Sequence, residues 1–180
     1  MGVRNYLIEG VSGSGKTAVA EELERRRLHV VHGDRALAYH GDPDTGEPAE
    51  GPDHADAPDA ARWRHQHWIW DTDKVRALVA DRSQAATFFC GGSRNHRRYI
   101  DLFDRVFVLD VDIETLKRRV SGRGEDEFGA KPAEGAMLAR LHATREDIPV
   151  NAVSIDATQP VCWVVDEILS HCGQQGAGET

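Results

Sequence analysis

Short apolar runs alternate along this chain with stretches whose apolar residues fall on one side of a helix. Arg4 to Glu9 holds the run Tyr6, Leu7, Ile8 and stops at glycine, which predicts a first strand. Lys16 to Arg27 carries Val19 and Leu23 among Glu and Arg, with Leu28 following, and predicts an amphipathic helix. Leu28 to His32 reads as a second strand ending at Gly33-Asp34-Arg35. Ala86 to Cys90, Arg105 to Leu109 and Ala152 to Ile155 read as the third, fourth and fifth strands. Between them the pattern predicts helices over Lys74 to Asp81, capped by Asp71, and around Leu116, Arg118 and Arg119, begun by Asp112 or a neighbour. Two further helices are predicted, over Met137 to Glu146 and over Val161 to Leu169 after Pro160. Strands alternating with helices imply an α/β fold with a parallel sheet, whose ligands sit at the carboxyl ends of the strands.

Three stretches interrupt this alternation. Gly41 to Pro58 is rich in Gly, Pro and Asp and reads as a mobile insertion. Arg62 to Trp70 gathers Trp63, Trp68 and Trp70 with His65 and His67. Aromatic walls suit a flat ligand ring, although burial habit puts at least two of these tryptophans in the core. Gly122 to Glu134 is charged and glycine-rich, as expected for a flap.

Composition narrows the class. A chain of 180 residues suits a single domain, and 40% hydrophobic with 29% charged residues excludes disorder as its default. The net charge of −8 disfavours a nucleic-acid or anionic-membrane partner, because affinity for phosphate backbones comes from Lys and Arg. Cys90, Cys162 and Cys172 have neither paired nor metal-site spacing and are expected as free thiols in a reducing compartment. No run approaches the length of a membrane span and no secretory leader is evident, so a cytoplasmic location is expected.

The chemistry concentrates at Gly10-Val11-Ser12-Gly13-Ser14-Gly15-Lys16-Thr17, which satisfies G-x-x-x-x-G-K-[ST] between a predicted strand and a predicted helix. A polyphosphate must be held by several main-chain N–H groups at once. Gly10, Gly13 and Gly15, with Ser12 and Ser14 between them, let the loop wrap closely while the helix adds its positive end. Lys16 is placed to reach the β- and γ-phosphates, and the Thr17 hydroxyl to ligate a Mg²⁺ bridging them. The cofactors expected are therefore ATP and Mg²⁺. A plain helix-capping glycine turn is the alternative.

With this motif in this context, the chain resembles the small P-loop kinases: nucleoside-monophosphate, shikimate and gluconate kinases and chloramphenicol phosphotransferase. The resemblance implies a three-layer P-loop NTPase fold, a five-stranded parallel sheet of order 2-3-1-4-5, an acceptor-covering insertion near residues 36–84 and a mobile lid near 119–135. It also implies that Arg118, Arg119 and Arg123 are lid arginines, with Arg119 on the base and Arg123 on phosphate as a catalytic group. A solvated basic helix end is the competing reading. Arg145 is either a second grip or exposed.

Asp34, directly after the second strand, is the candidate base for an acceptor hydroxyl or a group that reaches Mg²⁺ through water, and Arg35 beside it is a candidate acceptor ligand. A turn Asp and a solvated Arg are the alternatives. Cys90-Gly91-Gly92-Ser93-Arg94 stands where nucleotide kinases usually show Asp-Gly-x-Pro-Arg, so Arg94 remains a candidate for an acceptor phosphate while the Asp is missing. The expectation is a phosphotransferase acting on a small molecule, foremost a nucleoside or nucleotide, as a monomer or homodimer. An antibiotic, sugar-acid or polynucleotide 5′-end kinase is the alternative. A nucleotide-binding switch is the alternative of another class. Against the switch, N-K-x-D is absent and the one D-x-x-G, Asp126 to Gly129, falls in the flap.

Overall fold

The protein is described by a computed structural model covering residues 3–52, 58–122, 129 and 131–173. In chain order its elements are β1 (Arg4–Glu9), α1 (Lys16–Arg25), β2 (His29–His32), α2 (Gly33–Ala36), β3 (Ala38–His40), α3 (Pro58–Gln66), β4 (Trp68–Trp70), α4 (Thr72–Ala80), β5 (Ala86–Cys90), β6 (Arg105–Asp110), α5 (Ile113–Ser121), α6 (Pro132–Thr144), β7 (Val153–Asp156) and α7 (Val161–Gly173). Two single turns of 3₁₀ helix, His96–Arg98 and Ile100–Leu102, join β5 to β6.

β2, β5, β1, β6 and β7 lie side by side in that order, all parallel. Counted among the sheet's own strands this is 2-3-1-4-5, the order implied by the resemblance. β1 is central, and its side chains alternate between two apolar layers, as a parallel strand covered on both faces requires. Tyr6 and Ile8 join Val19, Leu23, Phe88, Val165 and Ile168 under α1 and α7. Leu7 joins Phe89, Trp70, Val75, Tyr99 and Phe103 on the opposite face. Register brings Tyr6 beside Phe88, with ring centres 5.1 Å apart.

The predicted caps are present. Asp71 accepts from the N–H groups of Asp73 and Lys74, both at 3.1 Å, and Asp112 from that of Thr115 at 2.7 Å. Each such cap contributes about 1 kcal/mol.

The structure adds elements that periodicity did not indicate. β3 and β4 pair antiparallel, with Tyr39 opposite Ile69 and His40 opposite Trp68, in a separate two-stranded ribbon. Each strand has three residues and its partner lies far along the chain, so no local pattern announces it. Gly33-Asp34-Arg35, read as the end of a strand, begins the helical turn α2. Only Trp70 among the three clustered tryptophans is a core residue, fully buried and stacked on Tyr99 at 5.7 Å. Trp63 and Trp68 are half-buried, contrary to the expectation of two in the core. The proposed flap is also shorter at its far end, because Pro132 in the first turn starts α6 well before Met137. Residues 123–128 and 130, the middle of that stretch, lie outside the described residues. No helix among the described residues is long and apolar enough to cross a membrane.

Candidate active site

β1 delivers the chain into the phosphate loop at Gly10, whose φ of 149° excludes most side chains. A Cβ there would lie 2.6 Å from Ser14 Oγ and 2.9 Å from the Leu109 carbonyl. Gly15, at φ 109°, turns the chain into α1. Ser14 is fully buried beneath the loop, Ser12 and Gly13 are half-buried, and Thr17 is exposed on the first turn of α1. Lys16 folds back over the loop, and its Nζ donates to Gly10 O at 2.5 Å and Val11 O at 3.2 Å. Lys16 is therefore held across the start of the loop by its two carbonyl acceptors.

Gly10, Val11, Ser12 and Lys16 line a cavity of about 530 Å³. Asp34, Trp68, Arg94, Arg64, Glu134 and Asp147 line the same cavity. Asp34 is exposed to the cavity and its Oδ1 accepts from three N–H groups: Gly92 N at 3.1 Å and the indoles of Trp68 and Trp70, each at 3.4 Å. This arrangement fixes the carboxylate between α2 and the loop after β5. Arg94 is ion-paired to Asp147, which also takes His65 Nε2 at 2.7 Å. Burial opposes ionisation of Asp147, but the His65 hydrogen bond and the Arg94 charge outweigh it and hold the carboxyl below its usual value. Arg64 reaches Glu134 at 2.7 Å, whose second oxygen accepts from Gly129 N at 2.9 Å.

Glu9 is the residue that sequence reasoning missed. It is 3% exposed, lines the cavity, and its Oε1 has no hydrogen-bond partner. Burial pushes its carboxyl up to about 7 against the charges of Arg94 and Lys16 and a hydrogen bond from the Ser93 main chain; Asp34 adds to the rise. A glutamate closing an apolar strand directly before the phosphate-loop glycine was the available signal, since a side chain there must face the crevice at the strand ends. Cys90, on the neighbouring strand, is buried, and its thiol is pushed up to about 12, so it stays protonated and is no anionic substitute for the missing Asp.

Other candidates are placed elsewhere. Arg119 Nη1 and Nη2 donate to the carbonyls of Ser14 and Ala157, each at 2.8 Å, which ties α5 to the back of the phosphate loop. Arg35 is exposed on α2 and is not part of the cavity lining. Arg145 pairs with Asp110 at 2.9 Å in an exposed bridge. Arg123 lies outside the described residues. Among the described residues no cluster of three His, Cys, Asp or Glu side chains could hold a metal. The donor set suits a magnesium carried by a nucleotide, an ion that keeps phosphate and water oxygens: the unpartnered Glu9 oxygen belongs to a residue lining the cavity with Lys16, while Thr17, exposed and next to Lys16 in the chain, is not part of that lining.

Comparison with known proteins bears on this geometry. The AAA domain family matches residues 7–136. No curated protein matches the chain. Among solved structures, an unliganded sugar kinase from a Janibacter species superposes with a TM-score of 0.54 at 22% identity, covering 99% of both chains. A deoxyadenosine kinase from M. mycoides with bound dATP gives 0.53 at 15% identity, covering 94% of this chain and 100% of the other. A shikimate kinase from Acinetobacter baumannii in complex with shikimate gives 0.59 at 16% identity, covering 97% and 96%. At these identities the likeness is one of fold.

Proposed function

The chain belongs to the AAA domain family and has the fold of the small P-loop kinases, and on that premise we propose that it is a phosphotransferase moving the γ-phosphate of ATP to a small-molecule acceptor of the nucleoside or nucleotide class. The observation that carries this reading is a single cavity lined both by the phosphate loop with Lys16 and by the anchored Asp34 carboxylate. A phosphate donor and a hydroxyl acceptor need that juxtaposition, because phosphoryl transfer depends on alignment and charge neutralisation more than on covalent help from the protein.

In this reading the amides of residues 10–17 hold the triphosphate and Lys16 moves from the loop carbonyls to the β- and γ-phosphates. Thr17 holds the nucleotide's magnesium, which when bound neutralises charge on the phosphate oxygens. Arg119 takes the base side and Arg123 a phosphate. Asp34 spends one oxygen on its three N–H donors and uses the other to orient the acceptor hydroxyl and take its proton. Arg94 contacts the acceptor, and Arg35 is left to its approach path.

The test is a coupled ADP-release assay over nucleosides, nucleotides, sugars and antibiotics. One class should raise ADP release strongly, and Asp34→Asn should bind ATP normally while losing about a hundredfold or more in transfer. Near-normal transfer in that variant removes Asp34 from the mechanism. Turnover that no acceptor raises favours a nucleotide-binding switch.

A further inference from the structure

Two arginines line the cavity beside Asp34, and each is already ion-paired. Arg94 is committed to Asp147, and Arg64 to Glu134. Both carboxylates line the cavity with their partners. Asp147 is further held by His65, and Glu134, itself buried, by Gly129 N. These pairs are built in from both sides, so separating either guanidinium from its carboxylate would strand a largely desolvated charge. Asp34 adds a carboxylate whose donors, Gly92 N and two indoles, are all neutral. An anionic acceptor would thus approach a γ-phosphate past a carboxylate, with both nearby arginines already neutralised.

What the site does offer suits a neutral ring. Trp68 and His40, with ring centres 5.4 Å apart, line the cavity together with Leu138, Leu141 and Ile148. Burial, reinforced by Arg64, lowers the pKa of His40 and keeps it uncharged at neutral pH. Arg94 retains a buried Nε–H with no hydrogen-bond partner.

We propose that the acceptor is an uncharged, ring-bearing alcohol of nucleoside type, and that the Arg94–Asp147 and Arg64–Glu134 pairs exclude its phosphorylated or carboxylated counterparts. The inference rests on the phosphotransferase reading and narrows it from nucleoside or nucleotide to the former. In the reaction the acceptor hydroxyl oxygen forms a bond to the γ-phosphorus, the bond from that phosphorus to the β,γ-bridging oxygen breaks, ADP leaves, and the hydroxyl proton passes to Asp34.

The experiment compares kcat/KM for each common nucleoside with that for its own 5′-monophosphate at saturating ATP and magnesium. The expected result is a nucleoside preferred over its monophosphate by about a hundredfold or more, the size of discrimination that unmatched buried charge produces. Asp147→Asn, which releases Arg94, should narrow that ratio by about tenfold through a lower KM for the monophosphate. Monophosphates used as well as or better than nucleosides by the wild type overturn the proposal while leaving the phosphotransferase reading intact. ADP release that no acceptor of either charge stimulates overturns the reading itself and the proposal with it. If Asp147→Asn does not fold, Glu134→Gln tests the same narrowing through Arg64, and an unchanged ratio in a folded variant counts against the exclusion role of its pair.

Discussion

On the proposed reading the phosphate end of the site belongs to one consecutive run, of which Gly10, Val11, Ser12 and Lys16 line the cavity, whereas its acceptor end draws on side chains spread from Asp34 to Asp147. The first end is made of main-chain donors whose directions follow from glycine placement, at Gly10 and Gly15 above all. The second is made of ion pairs and indole contacts that exist only after α2, α3, β4, α6 and the loop after β5 have packed together. A general capacity, holding a triphosphate, can be encoded locally. Choice of acceptor depends on distant segments, and so varies without disturbing the loop.

Four substitutions test how separable the two ends are. Lys16→Ala strikes the phosphate end and should reduce ADP release by about a thousandfold or more whatever the acceptor, because a charge aimed at the transferred phosphoryl group is lost. A residual rate within tenfold of wild type would mean that the loop is not the donor site. Gly33→Ala strikes the acceptor end through packing, since its Cβ would lie 2.1 Å from the ring of fully buried Trp70. It should cost about 3 kcal/mol in urea unfolding, and displacement of Trp70 should weaken its hold on Asp34. Calorimetry at a temperature where the variant is folded should still show ATP binding.

Glu9 lines the same cavity and feels Arg94, Lys16 and Asp34, and its effect is one of pH. Its carboxyl titrates near 7 in the folded protein against an ordinary 4.5, so the folded state holds the proton more tightly than the unfolded chain. That contribution to stability is complete below about 4.5 and is lost as pH rises through about 7. Thermal unfolding from pH 4.5 to 8 should therefore show wild type losing stability relative to Glu9→Gln, which keeps the neutral form at every pH. Parallel curves for the two proteins would contradict the buried, proton-holding carboxyl. Arg145→Ala should do least, about 0.5 kcal/mol or below and no change in turnover, since its pair with Asp110 is exposed. A large loss of transfer there would restore Arg145 as a second phosphate grip.

Legibility in the sequence followed the same division. The five sheet strands, the caps at Asp71 and Asp112 and the phosphate loop all rest on contiguous signals, and the structure contains them. The position of Asp34 just past the carboxyl end of β2 was legible as well, because it follows that strand directly in the chain. Asp147 and Glu134 carried no local mark. Each is one acid among many on a chain with thirty Asp and Glu, and each acquires meaning only from the arginine across from it. Trp70 and Trp68 lie two residues apart on the same short strand, yet one is core and the other lines the cavity.

The sequence by itself determined a phosphate-binding turn between a buried strand and an amphipathic helix, and with it the class of donor, because hydrogen-bond geometry over eight residues is a local property. Only the tertiary structure decided which arginines are neutralised, which tryptophan faces the cavity and that Glu9 is buried without a full set of partners. Those outcomes depend on desolvation and charge pairing between segments up to a hundred or so residues apart, interactions that come into being only when the sheet and its helices have closed around them.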